Sequence, residues 1–506
     1  LNFWFPLLST LQLIAVVTTV SLLIGIPSAW AAETMACGRM VAKYASRLFI
    51  LAMTVALAIP LILHAAIWES TAGKFGWLSL TGSGARSFEA FHGLVASGWI
   101  HAMVGSAIVT LATWCGTQSQ SRAVIENSLL DASPLRAWWT IRLPLAWPWV
   151  LAATLINAGI AGTEMTVVDL YGYRTLADEF YLFYAANPNG LSIAIVCALP
   201  LCLALGLGTL LLVLHQPSGA SLSAQEPIRV CEEQPSNWSI GISSFILLVS
   251  ASLIVLVPIV GLFVKIGHDV AIVEGQIVSV WSIHRGVKEW LLAPRTFASE
   301  YQWTIVLGLA TGLLSSLIAW PMAALGRRRA GIEKIFDVLS ICLFCIPGPV
   351  VAIAVVNFFQ FDVPIFRFLY EMTIVPTVIA LSFRATSIAY WVLRSGYRGI
   401  SDRVFEASAL EMSSTKRFWR IDRPLIQGSL VTAIFVSAVF ASGDVPVTLP
   451  VVPPGISTVG TRLFGLLHSG ARYQEAALAI WHLMFVVSIA AVIAVGHRHW
   501  RARMSV

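Results

Sequence analysis

The sequence predicts an all-α polytopic membrane protein of about 11 transmembrane helices, built as two homologous halves in parallel repeat. Three observations carry this. The 506-residue chain is 57% hydrophobic and only 11% charged, with mean hydropathy +0.80, whereas a soluble domain carries about 25% charged residues. Apolar runs of twenty or more residues recur along the chain, each long enough to cross a hydrocarbon core of about 30 Å as a helix. Two polar segments repeat without gaps. A soluble enzyme is excluded. The net charge of +6 is read as basic flanks around membrane spans, with no nucleic-acid partner.

The spans are expected near 10–32, 47–68, 91–114, 143–168, 192–215, 239–263, 302–325, 335–357, 372–394, 424–449 and 473–496. The first resembles a signal peptide ending in Ala-Trp-Ala-Ala, but lacks a basic leader and is too long. Placing the C-terminal tail inside puts 21 Lys/Arg on the inner side, with Arg47 and Arg394 counted there, and 10 on the outer side. This is the bias expected of inner loops. Seven cysteines are present, none in a predicted outer loop, so no disulfide is expected. Cys342 and Cys345 form a C-x-x-C inside an apolar helix and read as packing.

The repeat sets the architecture. Residues 125–145 (IENSLLDASPLRAWWTIRLPL) align with 405–425 (FEASALEMSSTKRFWRIDRPL). Glu126/Glu406, Ser133/Ser413, Trp139/Trp419, Ile141/Ile421 and Pro144/Pro424 each differ by 280, as do the acids Glu164/Asp444. Thr10 and Pro27 match Thr304 and Pro321, Ile59-Pro60 matches Ile346-Pro347, and Thr175 matches Thr458 at nearby offsets. The second half also has a leading span, 239–263. Its absence from the first half implies a span upstream of Leu1, making 12, or a shorter first half. The expected organisation is 8–215 and 301–496 as transmembrane domains, 216–238 as an inner linker, 239–300 as the extra helix and an outer loop, and 497–506 as a basic inner tail.

Each repeated segment lies on the inner side and ends at a proline that starts the next span. Glu126 and Glu406 are expected at a helix N-terminus, where an acid is favoured. Leu129, Leu130, Leu135, Trp138 and Trp139 give the first loop an apolar side. Two such loops at equivalent places suggest docking surfaces for two equivalent partners.

These loops resemble the EAA motif of type-1 ABC importer permeases, which ends in I-x-L-P; here the ends are Ile141-Arg142-Leu143-Pro144 and Ile421-Asp422-Arg423-Pro424. The motif glycine is absent: Asp131 and Glu411, or Ala132 and Met412, occupy its place. The Glu–Pro spacing is also one residue short. The resemblance implies that Glu126, Asp131, Ala132, Ser133, Pro134, Leu135 and Pro144, with Glu406, Glu411, Met412, Ser413, Phe418 and Pro424, form two ATPase-coupling loops. It implies two cytoplasmic ATPase subunits, one extracytoplasmic binding protein and a bacterial cytoplasmic (inner) membrane location. The chain contains no G-x-x-x-x-G-K-[ST]. It is therefore not expected to be its own ATPase by that route; the resemblance implies a transport component that is not an enzyme, binds no cofactor of its own and relies on ATP used by its partners.

The stretches 162–181 and 443–470 are similar to ferric-iron-type permeases, in which fused double permeases occur. Ferric iron is thus the expected cargo, with thiamine, sulfate, molybdate, phosphonate and polyamine as alternatives within the same role. An ion-driven secondary transporter is the competing class. Glu164, Asp169, Arg384 and Asp444 are candidate pathway residues, because ionisable groups in a membrane are functional candidates by default. The bland reading is that the acids are structural caps or pair with a nearby arginine. Arg384 is expected to pair with an acid of the facing half or to snorkel. His101 reads as a packing histidine, and no metal site is expected.

Overall fold

The computed structural model describes residues 4–73, 91–186, 190–214, 235–273, 276–400, 402–469 and 473–504. It is 88% helical, as the run of apolar segments requires.

In chain order, α1 (Trp4–Cys37) is followed by α2 (Met40–Ala58), α3 (Leu61–Ala72) and α4 (Gly93–Gln118). Helix α2 stops at Ile59, whose backbone is extended (φ −77°, ψ 125°). The cause is Pro60: its ring disfavours the α conformation in the residue before it. Then come α5 (Arg122–Asp131), α6 (Pro134–Ala137), a π turn at Trp138–Arg142 and α7 (Leu143–Thr163). Beyond them lie α8 (Thr166–Leu170), α9 (Leu176–Ala186) and α10 (Gly190–Leu214).

Helix α11 (Asn237–Ala251) runs through a π turn into α12 (Val257–Ile266). An antiparallel hairpin follows, β1 (His268–Val273) with β2 (Gln276–Trp281), the one departure from all-helical structure among the described residues. Next are α13 (Ile283–Thr296), α14 (Ala298–Arg328), α15 (Ala330–Cys345), α16 (Gly348–Phe359), α17 (Pro364–Met372) and α18 (Val375–Arg398). The chain closes with α19 (Asp402–Glu411), α20 (Ser414–Arg417), a π turn at Phe418–Asp422, α21 (Arg423–Ser442), α22 (Val445–Val451), α23 (Val459–Ser469) and α24 (Tyr473–Met504).

Nine described helices are long and apolar enough to cross a membrane, ten with the bent pair α15–α16. This makes it a multi-pass membrane protein. Two of the eleven expected spans, 47–68 and 335–357, are each broken at an Ile-Pro step. Segment 335–357 is not straight: it bends by 93° between Cys345 and Gly348, because Ile346 precedes Pro347 just as Ile59 precedes Pro60. Segment 192–215 forms α10, a continuous apolar helix over Gly190–Leu214 that contains the stretch Val196–Leu210. The expectation of no disulfide is also corrected. Cys37, at the end of α1, is disulfide-bonded, and five other cysteines are free.

Each of the three described π turns ends two residues before a proline, at Pro144, Pro258 and Pro424. A helical proline lacks an N–H and crowds the carbonyl four residues back. The wider turn relieves that crowding: the N–H of Leu143 reaches back to Trp138 O, and Arg423 reaches Phe418 O.

The chain forms two compact units. The first holds α1–α8 together with α11, α12 and the hairpin; the second holds α14–α24 together with α10 as far as Gly208. In the first unit α1, α4 and α7 pack on one another through small residues. A Cβ on Gly25 would sit 2.6 Å from Val109 Cβ. Ser21 Oγ donates to Ala102 O at 3.4 Å, and Asn157 Nδ2 donates to Gly105 O at 3.2 Å. Such close backbones are how membrane helices gain packing energy without a hydrophobic driving force. In the second unit α14, α18 and α21 pack likewise, with Gly308 and Gly312 against Ala438 and Ser437 Oγ donating to Ala385 O at 3.2 Å.

Helix α11 also belongs to the first unit by contact. Ser250 Oγ lies 2.7 Å from Ser28 Oγ of α1, and Leu247 and Ile254 are buried in the same core. The leading span of the second sequence half thus packs on the first half's helices. In the second unit, Val196 of α10 joins Phe180, Val350 and Ile353.

Candidate coupling loops and membrane ion pairs

The two repeated segments fold alike. Helix α5 and α19 start and end 280 residues apart, as do α6 and α20 and the two π turns. Each segment is a ten-residue helix, a short break, and a second helix that runs through the π turn into a membrane span. Pro144 and Pro424 are therefore not where the spans begin. The first span is helical from Pro134, with Pro144 and Pro424 in the first turns of α7 and α21.

Glu126 and Glu406 are the fifth residues of α5 and α19, one turn beyond the N-terminus expected for them. The backbone dipole is weak there. Glu406 and Glu411 are exposed, as are Ser133, Pro134, Ser413, Pro144 and Pro424; Ala132 and Met412 are half-buried, and the Asp131 side chain lies outside the described residues. Ala132 has φ −150° and ψ 154°, an extended conformation open to any residue. The break after α5 thus has no backbone need for the missing motif glycine.

Both loops present leucine outward. Leu130 is 84% exposed and Leu410 is 89% exposed, and Leu135, Trp139 and Trp419 are exposed beside them. Their inner sides are anchored. Trp138 Nε1 donates to Glu33 Oε2 at 2.8 Å, and Glu33 also pairs with Arg142. The Arg142 guanidinium further donates to Gln120 Oε1 and to Thr117 O, both at 3.2 Å. So α1 and α4 hold the first loop. In the second, Arg328 of α14 lies 3.9 Å from buried Asp422, and Phe418 stacks on Trp320, ring centroids 4.8 Å apart. Arg142 and Asp422 occupy the same repeat position. The loop supplies the base in one half and the acid in the other.

The membrane acids obey a similar rule. Glu164 breaks α7 with an extended backbone (φ −83°, ψ 136°). It then caps α8, accepting from Thr166 N at 2.7 Å and Val167 N at 2.9 Å. His101 Nε2 of α4 lies 3.6 Å away. Asp444 stands at the matching break before α22, and Arg384 Nη1 donates to both its carboxylate oxygens at 3.2 Å. Arg384 also donates to Phe344 O at 3.3 Å and lies 5.5 Å from the ring centres of Phe344 and Phe440. Arg384 thus neither snorkels nor pairs with a facing half: Asp444 belongs to the same unit. The histidine taken for packing faces the first half's acid, as Arg384 faces the second's.

Asp169 is exposed near the end of α8, close enough to Asp178 to act on it electrostatically. Burial, with Asp169 as a secondary cause, pushes the Asp178 carboxyl up to about 6. Glu164 and Asp444 are brought to equivalent breaks; Asp169 joins neither pair.

Sequence reasoning also missed what the matched threonines do. Thr10 Oγ1 accepts from Leu176 N at 3.0 Å, and Thr304 Oγ1 accepts from Val459 N at 2.8 Å. Leu176 and Val459 directly follow the matched pair Thr175 and Thr458. The available signal was the match itself, which paired all four residues without joining them. Glu33 carried no signal, because its partner is 109 residues away.

Among the described residues no group of three or more His, Cys, Asp or Glu could hold a metal ion. No protein-family model matches the sequence, and no curated protein matches it significantly.

Proposed function

We propose that this chain is the permease component of an ATP-driven type-1 ABC importer, with both permease halves fused in one polypeptide. The observation that carries the reading is the repeated loop: a ten-residue helix and a second helix fused to a span, twice, in a register of 280 residues, each with a leucine more than four-fifths exposed. An apolar side chain offered to water twice at equivalent places fits two equivalent docking partners. Within this reading α5 and α19 dock in grooves of two cytoplasmic ATPases, and ATP-driven closure moves both spans through the continuous helices behind them. Coupling through docked rigid elements is an established repertoire. One copy of the chain, two ATPases and one extracytoplasmic binding protein make the assembly.

Ferric iron is the proposed cargo, supported by the likeness of 162–181 and 443–470 to ferric-iron-type permeases. Glu164 and Asp444 are each engaged by a base of their own half, which favours a role in holding the broken helices over one in ligating cargo. The test is reconstitution with the genomically adjacent ATPase and binding protein. Labelled ferric iron should accumulate in proteoliposomes only with ATP, and Leu130→Glu plus Leu410→Glu should abolish ATPase co-purification. Retained co-purification, or uptake driven by an ion gradient without ATP, overturns the reading. The chain alone should hydrolyse no ATP.

A further inference from the structure

In the second unit, α13, α14 and α24 enclose a crevice of about 340 Å³, within the size range of small-molecule sites. Its wall is almost wholly apolar: Ala298, Ile305, Trp481 and Phe485 line it. Helices α14 and α24 are both candidate spans. Ile305 and Phe485 are 40% and 38% exposed, so the crevice opens on the apolar surface of two candidate spans. Helix α13 closes one side, fixed by the stack of Trp290 on Trp481 (ring centroids 5.4 Å, 15° between planes) and by Trp481 Nε1 donating to Trp290 O at 2.7 Å.

One polar group in the wall is unspent. The Tyr301 hydroxyl donates to Leu478 O, and the Thr304 hydroxyl donates to Glu300 O. His482 is 3% exposed and its Nδ1 has no hydrogen-bond partner. A buried polar atom left unmade is costly, so a partner from the occupant is favoured. The outer surface of α13 adds a second observation. Val287 and Leu291 are exposed at helical spacing, with exposed Lys288 and Arg295 beside them. An apolar stripe flanked by cations suits the headgroup–acyl boundary of an anionic membrane.

We propose that this crevice binds one anionic phospholipid of the bilayer. Its acyl chain lies against Ala298, Ile305 and Phe485. An ester carbonyl accepts from His482 Nδ1, and the phosphate is drawn by Lys288 and Arg295. This stands whether or not the importer reading holds, because it needs only the two spans and α13.

Native mass spectrometry of the full chain, purified from membranes containing phosphatidylglycerol and phosphatidylethanolamine, tests it. The expected result is one phosphatidylglycerol retained per chain. Ala298→Phe, which fills the crevice, should bring retention to background. Lys288→Glu with Arg295→Glu should keep a lipid bound but remove the preference for phosphatidylglycerol. Equal retention by wild type and Ala298→Phe, or retention without headgroup preference in the wild type, overturns the proposal. So does a bound non-lipid mass in its place. If Ala298→Phe fails to fold, delipidated wild type decides: phosphatidylglycerol should raise its Tm more than phosphatidylethanolamine does, and equal effects overturn the assignment.

Discussion

The two units solve the same two problems with different charges. Each must tie a loop to the helices behind it, and each must bury an acid where a membrane helix breaks. The first unit ties its loop with Arg142 on Glu33 and faces Glu164 with His101; the second uses Asp422 with Arg328, and Asp444 with Arg384. The loop and break positions persist while the sign there or the facing base changes. What the fold requires at these places is a neutralised pair, since an unpaired buried charge is far costlier than a paired one.

The comparison breaks most visibly at Arg384. Arg384→Leu leaves Asp444, 5% exposed, without its principal cation and should cost about 3–5 kcal/mol, read as thermal unfolding in detergent. Adding Asp444→Leu should recover much of the loss. His101→Leu in the other unit should cost less, about 1–3 kcal/mol, because Glu164 keeps its bonds from Thr166 and Val167. Equal losses in the two units would mean that the capping bonds hold little.

The loop ties offer a sharper test, because one unit can be rewritten in the polarity of the other. Arg142→Glu sets two acids together and should destabilise by about 3 kcal/mol. Glu33→Arg with Arg142→Glu should restore most of it, although the Glu33 bond from Trp138 Nε1 is lost. Failure of the double variant would show that the Trp138 and Gln120 contacts, rather than charge, hold the loop.

A smaller effect belongs to Asp178, which has no counterpart acid at the second unit's matching position, Thr461 (Arg174–Asp178 against Ser457–Thr461). Its carboxyl is raised from 3.8 to about 6 in the folded chain, chiefly by burial. The folded state therefore holds the proton more tightly than the unfolded one. The cost is absent below about pH 4, grows as pH rises through the window, and is complete above about pH 6. Asp178→Asn should gain on the parent between pH 4 and 7 by about 1–2 kcal/mol, part of the gain being offset because Arg174 loses its partner. A gap that narrows with rising pH would contradict this. Least of all, Thr10→Val and Thr304→Val should each cost about 1 kcal/mol, with Ser rescuing both; hydrogen exchange at Leu176 and Val459 is the direct measure.

Much of the fold was legible in the sequence, because apolar length and proline position act locally. Ile59-Pro60 and Ile346-Pro347 were paired by position, and the physics of the residue before proline explains why both are breaks. The 93° angle at the second break was not legible, because packing sets it. The site was legible in outline: the loops, Glu164, Asp444 and Arg384 were all singled out. Their partners were not, since Glu33 and Arg142 or Arg384 and Asp444 meet only after the helices between them pack. The place of α11 in the first unit was hidden for the same reason. Sequence order put it with the second half, and Ser250 against Ser28 puts it with the first.

The π turns before Pro144 and Pro424 have a rotational consequence. An α-helix advances about 100° per residue, so one surplus residue in a turn shifts the phase of everything beyond it by roughly a quarter of a revolution. The faces of α6 and α20 are therefore set out of phase with the spans they join. Deleting one residue that makes no tie to the helices behind, Thr140 in the first loop or Arg420 in the second, would put back an ordinary turn and swing Leu130 or Leu410 around the helix axis at the loss of that one side chain. The two loops owe their aim to that phase as much as to their composition.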